Sequence, residues 1–269
     1  MEWHEVGTGG LALTRLLLAT WAIVTSLEWL VNRSSFQSGE ILDMRVMSLR
    51  KNGALLRFVW SHFTLGQISA LRLAIAVFMA IFSHPMLITF AAILLLILST
   101  LISAQSGYGG DGSDQMGSVA LIGLTLAAIG LAVDSWGIWF AGILVSGGQL
   151  TISYFVSGFS KWLSPIWRMG IALPGVMGTF TYGHALGVRA ISGKPWLVLA
   201  ICWTIFTTET AFPLSLVLSP RIFLIILSCF FVFHLINAFF MGLNAFVWSF
   251  SATYPSVIIL NYYIHELVK

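Results

Sequence analysis

The sequence predicts an all-α integral membrane protein, a bundle of about seven or eight transmembrane helices. Of its 269 residues, 58% are hydrophobic and 9% are charged, and the mean hydropathy is +0.93. These values lie far from those of water-soluble domains, which cannot hide so much apolar surface. A helix needs about 20 apolar residues to cross a bilayer core roughly 30 Å thick, so this length suits one bundle. We therefore expect residues 1–269 to form a single transmembrane domain.

The predicted spans are apolar segments bounded by polar, glycine or proline residues. Seven segments meet this description: Leu11–Val31, Phe63–Phe82, Pro85–Ser103, Met116–Val133, Trp136–Phe159, Trp196–Leu218 and Arg221–Leu243. A further segment, Asn244–Leu260, is interrupted by Tyr254 and Pro255. Three interpretations stay open for it: an eighth span, a kinked continuation of the seventh, or a half-buried segment.

Basic residues concentrate on one predicted face of the membrane, which we call face A. Its loops are Asn32–His62, Ala104–Gln115 and Ser160–Pro195, and they hold nine of the 13 Lys and Arg residues: Arg33, Arg45, Arg50, Lys51, Arg57, Lys161, Arg168, Arg189 and Lys194. The positive-inside rule then makes face A cytoplasmic. Within the first loop, Met44–Phe58 alternates apolar and basic residues, which is typical of a helix in the headgroup plane or of an ordinary basic loop. The net charge of +3 is too small and too dispersed to indicate nucleic-acid binding.

Ionisable residues inside the predicted spans are the first candidates for function, because each costs a few kcal/mol at mid-membrane unless it is paired, hydrated or useful. Glu28, Glu209 and His234 meet this description. His234 shares one helix face with Asn237, and the same spacing extends to Met241 and Asn244. Two interpretations stay open for Glu209 and His234: a structural contact between helices, or a functional role.

Lys161 stands where the fifth predicted span ends. Counting 1.5 Å per residue places His234 roughly 10 Å below face A and Glu209 about 20 Å below it, so we expect Lys161 to meet His234 rather than Glu209. A partly dehydrated lysine can act as a base or nucleophile, although most lysines at span ends only reach towards the headgroups.

A glycine-rich turn before the fourth predicted span carries Asp111 and Asp114. Their carboxylates can hold a cation or accept hydrogen bonds from a substrate, or the segment can be a solvated turn that caps the next helix. The turn lacks the GKS/T ending of a phosphate loop, and we predict no metal site in the chain.

Three segments in order resemble the HTTM family, which comprises the transmembrane domain of vitamin K-dependent gamma-carboxylases and small bacterial relatives of the sporulation-delaying protein B type. They are Tyr154–Lys161 followed by Trp167, Glu209–Pro213, and Phe233–His234 running to Met241–Phe246. The resemblance implies that Lys161 is a base and that a quinone or hydroquinone is a candidate cofactor. It also implies a bacterial cytoplasmic membrane protein whose face A is extracytoplasmic, against the charge rule. The chain lacks the carboxylase's soluble domain, and Asp111–Gln115 replaces its Asn-Asn-His segment, so we do not expect gamma-carboxylation.

The favoured hypothesis is a membrane-embedded enzyme that acts on a peptide or a lipid-soluble small molecule. Lys161 would be the base and His234 its partner. The substrate would be bound by a larger set of residues: Glu209, Asn237, Asp111, Asp114 and Trp167. Two hypotheses from other classes stay open: a non-catalytic maturation, immunity or export partner of a secreted peptide toxin, and a quinone-binding subunit of the DoxX type.

Overall fold

The computed structural model describes residues 3–36, 54–105 and 111–268, and every regular element in these ranges is helical. A short 3-10 helix spans Arg33–Phe36. The α-helices are α1 (Trp3–Val31), α2 (Ala54–His62), α3 (Leu65–Ile81), α4 (Pro85–Gln105), α5 (Gly112–Ala132), α6 (Trp136–Leu163), α7 (Pro165–Arg168), α8 (Ala172–Met177), α9 (Ala185–Ile191), α10 (Pro195–Ser215), α11 (Pro220–Met241), α12 (Asn244–Ser251) and α13 (Tyr254–Val268). The predicted all-α class is confirmed. Of the amphipathic segment predicted at Met44–Phe58, residues 44–53 lie outside the described residues, and the remainder belongs to α2.

Six of the described helices are long and apolar enough to cross a membrane, namely α1, α4, α5, α6, α10 and α11. The second predicted span is the shorter α3, with 17 residues. It begins at Leu65 rather than Phe63 because Thr64 and Gln67 form a capping box, in which each side chain accepts a hydrogen bond from the other residue's backbone N–H. Six apolar helices are compatible with a multi-pass membrane protein.

The last predicted segment, Asn244–Leu260, contains two helices rather than one. Gly242 ends α11 in the left-handed region, with φ of 70°, and α12 starts at Asn244. The 15 residues of α13 rise roughly 22 Å, which is less than the thickness of a hydrocarbon core. Almost all side chains from 249 to 261 are buried, so this segment is more deeply packed than the half-buried interpretation expected.

The described chain divides into two compact units. The first contains Met1–Ser146 and Trp248–Pro255. In it, α1 and α4 each pack against both α3 and α5. Buried Arg72 on α3 ties these helices together, because its guanidinium donates to the hydroxyls of Thr25 and Ser26 on α1 and of Ser99 on α4. Such a hub holds a charge in an apolar unit by giving it several neutral acceptors.

The second unit contains Gly147–Val247 and Ser256–Lys269. It contains the antiparallel pair α10 and α11, joined by a short turn whose carbonyls at Leu216 and Leu218 accept hydrogen bonds from Asn261 on α13, both 2.9 Å long. At the opposite end of this pair, the predicted loop Ser160–Pro195 is largely helical. It holds the end of α6 and the short helices α7, α8 and α9.

Candidate functional site

The main polar feature of the second unit is an ion pair between Lys161 on α6 and Glu209 on α10. Lys161 Nζ lies 2.6 Å from Glu209 Oε2, and the amine also donates to the Ser157 hydroxyl one turn earlier on α6. The lysine side chain is 19% exposed and the glutamate side chain 6%. A charge-assisted hydrogen bond with so little solvent contact is much stronger than a surface salt bridge.

The pair forms because α6 and α10 approach each other closely at Gly158. A Cβ added at this position would lie 2.7 Å from Cβ of Glu209 and would overlap the backbone of Thr210. Only glycine leaves room for this approach, which brings Lys161 within reach of the carboxylate. Because α6 continues to Leu163, Lys161 lies on the helix rather than beyond its end.

The expectation that Lys161 is better placed to meet His234 than Glu209 is wrong. Glu209 lies roughly 21 Å along α10 from Pro195, in agreement with the counted depth. Lys161 nevertheless reaches it, because the end of α6 packs beside the middle of α10 rather than beside its start. Measured along the axis of α10, Lys161 therefore lies beside Glu209 and not beside the N-terminal end of that helix.

His234 takes part in a second buried polar contact. Its Nε2 lies 2.9 Å from the hydroxyl of Tyr154 on α6, and the two side chains are 3% and 2% exposed. Tyr154 and Lys161 share one face of α6 at a spacing of two turns, roughly 10 Å. The two polar contacts thus follow each other along the same face of α6.

Trp167 and Asn237 are the remaining predicted site residues of the second unit. Lys161 Nζ is 5.5 Å from the centre of the Trp167 ring, a distance that allows a cation–π interaction. Asn237 is half-buried on α11. The predicted stripe does not continue to Asn244, because the left-handed Gly242 ends the helix and Asn244 belongs to α12.

An apolar cavity of about 540 Å³ lies between α10 and α11. Glu209 lines it together with Thr204, Thr208 and Ser215, and the remaining lining residues are apolar or Cys229. Its volume and its few polar groups are typical of sites for small lipid-soluble molecules. The ion pair therefore places one charged residue, Glu209, on the cavity wall and the amine directly behind it.

Asp111 and Asp114 belong to the first unit. Asp111 is the N-cap of α5, and its Oδ1 accepts hydrogen bonds from the backbone N–H of Ser113 at 2.9 Å and of Asp114 at 3.1 Å. The interpretation of this turn as a cap of the next helix is confirmed. That the two carboxylates help to bind the substrate stays a prediction.

Sequence reasoning missed two buried arginines and two partners of the candidate residues. Arg72 is 2% exposed, and Arg15 on α1 donates to the carbonyls of Met79, Ala80 and Phe82 at the end of α3. Both arginines lie inside apolar segments, a signal that the sequence did contain. Tyr154 and Ser157 carried no such signal, because a hydroxyl in an apolar helix usually bonds its own backbone.

Among the described residues, no group of three or more His, Cys, Asp or Glu side chains is arranged to hold a metal ion. No family model, no curated protein and no solved structure matches this chain.

Proposed function

We propose that this chain is a multi-pass membrane protein with about seven or eight spans, located in a bacterial cytoplasmic membrane. The six long apolar helices support this, with α3 as a seventh span of roughly 25 Å and α13 as the candidate eighth. In the most apolar 18 residues of α10 and α11, only 28% and 22% are buried. Apolar helices with so little protein around them need a hydrocarbon environment.

Its function, in this proposal, is that of an HTTM-type enzyme that removes a proton from a peptide or a lipid-soluble small molecule. The observation that carries it is the Lys161–Glu209 pair, buried behind the wall of an apolar cavity. In this proposal the Lys161 amine, in its neutral form, takes up the substrate's proton. Glu209, its hydrogen-bond partner, lines the cavity.

His234 has a different role in this proposal from the one its sequence pattern indicated. It is a positioning residue that holds Tyr154, and thereby the face of α6 that carries Lys161. A quinone or hydroquinone fits the cavity as a cofactor, because its ring and hydrocarbon chain suit apolar walls and its oxygens suit Thr208 and Glu209. When bound, it would supply redox chemistry.

The test compares cells that express the wild-type protein, Lys161→Ala, Glu209→Ala, and Arg221→Ala as control. Arg221 is an exposed basic residue at the turn between α10 and α11, and its side chain is not part of the cavity lining. Untargeted mass spectrometry of membrane lipids and secreted peptides should show a product with the wild type and the control that both site variants lack. An unchanged product profile with Lys161→Ala, at wild-type amounts of folded protein, would refute the catalytic role. Copurification of one small protein with all four chains would favour the non-catalytic partner.

A further inference from the structure

The segment Ser164–Lys194, which we call the basic collar, packs along the start of α10 instead of projecting into water. The indole N–H of Trp203 donates to the carbonyl of Arg168 at 3.2 Å, and this contact lies roughly 12 Å along α10 from Pro195. The His184 ring lies 5.8 Å from the rings of both Phe239 and Phe240, near the end of α11. The collar therefore surrounds one end of the α10 and α11 pair.

Large apolar side chains of the collar point away from the protein. Phe180 is fully exposed, and Met169, Ile171 and Leu186 are each more than half exposed. Trp196, directly after the collar, is 71% exposed. Ile166 is also more than half exposed. Singly exposed apolar residues are ordinary on a soluble surface, but six of them between positions 166 and 196 make a surface that water does not favour.

Exposed basic residues are interleaved with these apolar side chains. Arg168, Arg189 and Lys194 are all exposed, and the collar contains no Asp or Glu. Between residues 147 and 247 the one carboxylate is Glu209, which is paired with Lys161. Glu266 belongs to α13, whose His265 and Asn261 approach the opposite end of α10. The positive charge of the collar is thus not balanced at this end of the second unit.

We propose that the basic collar lies in the headgroup layer of the membrane and binds anionic phospholipid headgroups. Arg168, Arg189 and Lys194 contact the phosphates, while Phe180 and its apolar neighbours insert at the boundary of the acyl chains. Alternating basic and apolar side chains match a charged interface above hydrocarbon. An acidic soluble peptide would complement only the charges and would leave the exposed apolar residues in water.

This inference is independent of the proposed catalysis, because the collar's charges lie outside the Lys161–Glu209 pair.

The experiment is a lipid titration of the detergent-purified full chain, followed by native mass spectrometry. The probes are phosphatidylglycerol and phosphatidylcholine with the same acyl chains. The proteins are the wild type, the double variant R189Q/K194Q, and R221Q as a control that neutralises one basic residue outside the collar. We expect the wild type and R221Q to prefer phosphatidylglycerol, and the double variant to bind it about 10- to 30-fold more weakly. Equal binding of both lipids by the wild type, or full preference in the double variant, would overturn the proposal.

Two further measurements separate the alternatives. Displacement of phosphatidylglycerol by oligoglutamate at equal charge concentration would point to an acidic protein partner and would overturn the lipid assignment. A nitroxide label at Phe180→Cys, in a C202S/C229S chain in phosphatidylglycerol vesicles, should be relaxed more by oxygen than by a water-soluble nickel chelate. The opposite order would place the collar in water, and thermal unfolding that matches the wild type verifies that each variant is folded.

Discussion

Removing one member of the Lys161–Glu209 pair should destabilise the protein more than removing both. In Lys161→Met, the carboxylate of Glu209 stays 6% exposed and loses its cation. Leaving one buried charge unpaired typically costs about 3–5 kcal/mol. Glu209→Met should cost less, about 2–4 kcal/mol, because the lysine side chain is 19% exposed and keeps the Ser157 hydroxyl as an acceptor.

The double variant Lys161→Met/Glu209→Met replaces the pair with two apolar side chains of similar length. It removes both charges from the apolar surroundings, so the desolvation penalty disappears together with the attraction. We expect the double variant to lose at least about 2 kcal/mol less free energy of unfolding than the sum of the losses in the two single variants.

The measurement is reversible unfolding in bicelles, with the fraction folded followed over a denaturant series for all four proteins. Thr208→Val is the matched control on the same helix, because the Thr208 hydroxyl bonds only its own helix, at the carbonyls of Thr204 and Ile205. It should change the free energy of unfolding by less than about 0.5 kcal/mol. If the two single changes add within that margin, Lys161 and Glu209 do not form a coupled pair, and the proposed site fails with them.

Three further predictions concern stability and can be checked by the same unfolding measurement. Arg72→Leu should destabilise the first unit by about 2–4 kcal/mol, because several hydrogen bonds worth roughly 0.6 kcal/mol each are lost and their polar partners stay buried. A neutral result would mean that Arg72 is dispensable. Gly158→Ala should cost about 1–3 kcal/mol by pushing α6 and α10 apart. Its control, Gly148→Ala, has open space around the added Cβ and should be neutral or slightly stabilising. Equal effects of the two changes would contradict the close approach of α6 and α10 at Gly158. Asp111→Ala should cost about 1 kcal/mol through loss of the α5 cap, while Asp111→Asn should retain most of it.

The candidate residues show how much of the site can be predicted from sequence patterns. Glu209 was recognisable because a carboxylate in an apolar segment needs a partner, and the structure supplies one. Its partner was misassigned, because the depth count treated α6 and α10 as if their ends were level. The close packing at Gly158 shifts α6 along α10, and no property of either segment alone reveals that shift.

Arg72 and Tyr154 illustrate the opposite kinds of error. Arg72 carries a clear signal, a guanidinium in an apolar helix, yet its role depends on hydroxyls from α1 and α4 that are distant in sequence. Tyr154 carries no signal, since a tyrosine in an apolar helix is ordinary until a histidine 80 residues later lies opposite its hydroxyl. Polar pairing in an apolar bundle is a property of two helices, and one helix's periodicity cannot specify it.

The sequence by itself determined that the chain is helical and where most of its apolar helices lie, because hydrophobicity and local stops act within one segment. Only the tertiary structure decided which polar groups meet, how far the helices are displaced along each other, and that the predicted loop Ser160–Pro195 folds against α10. Those outcomes depend on close contacts between distant segments, where the presence or absence of a single Cβ decides how near two helices can come.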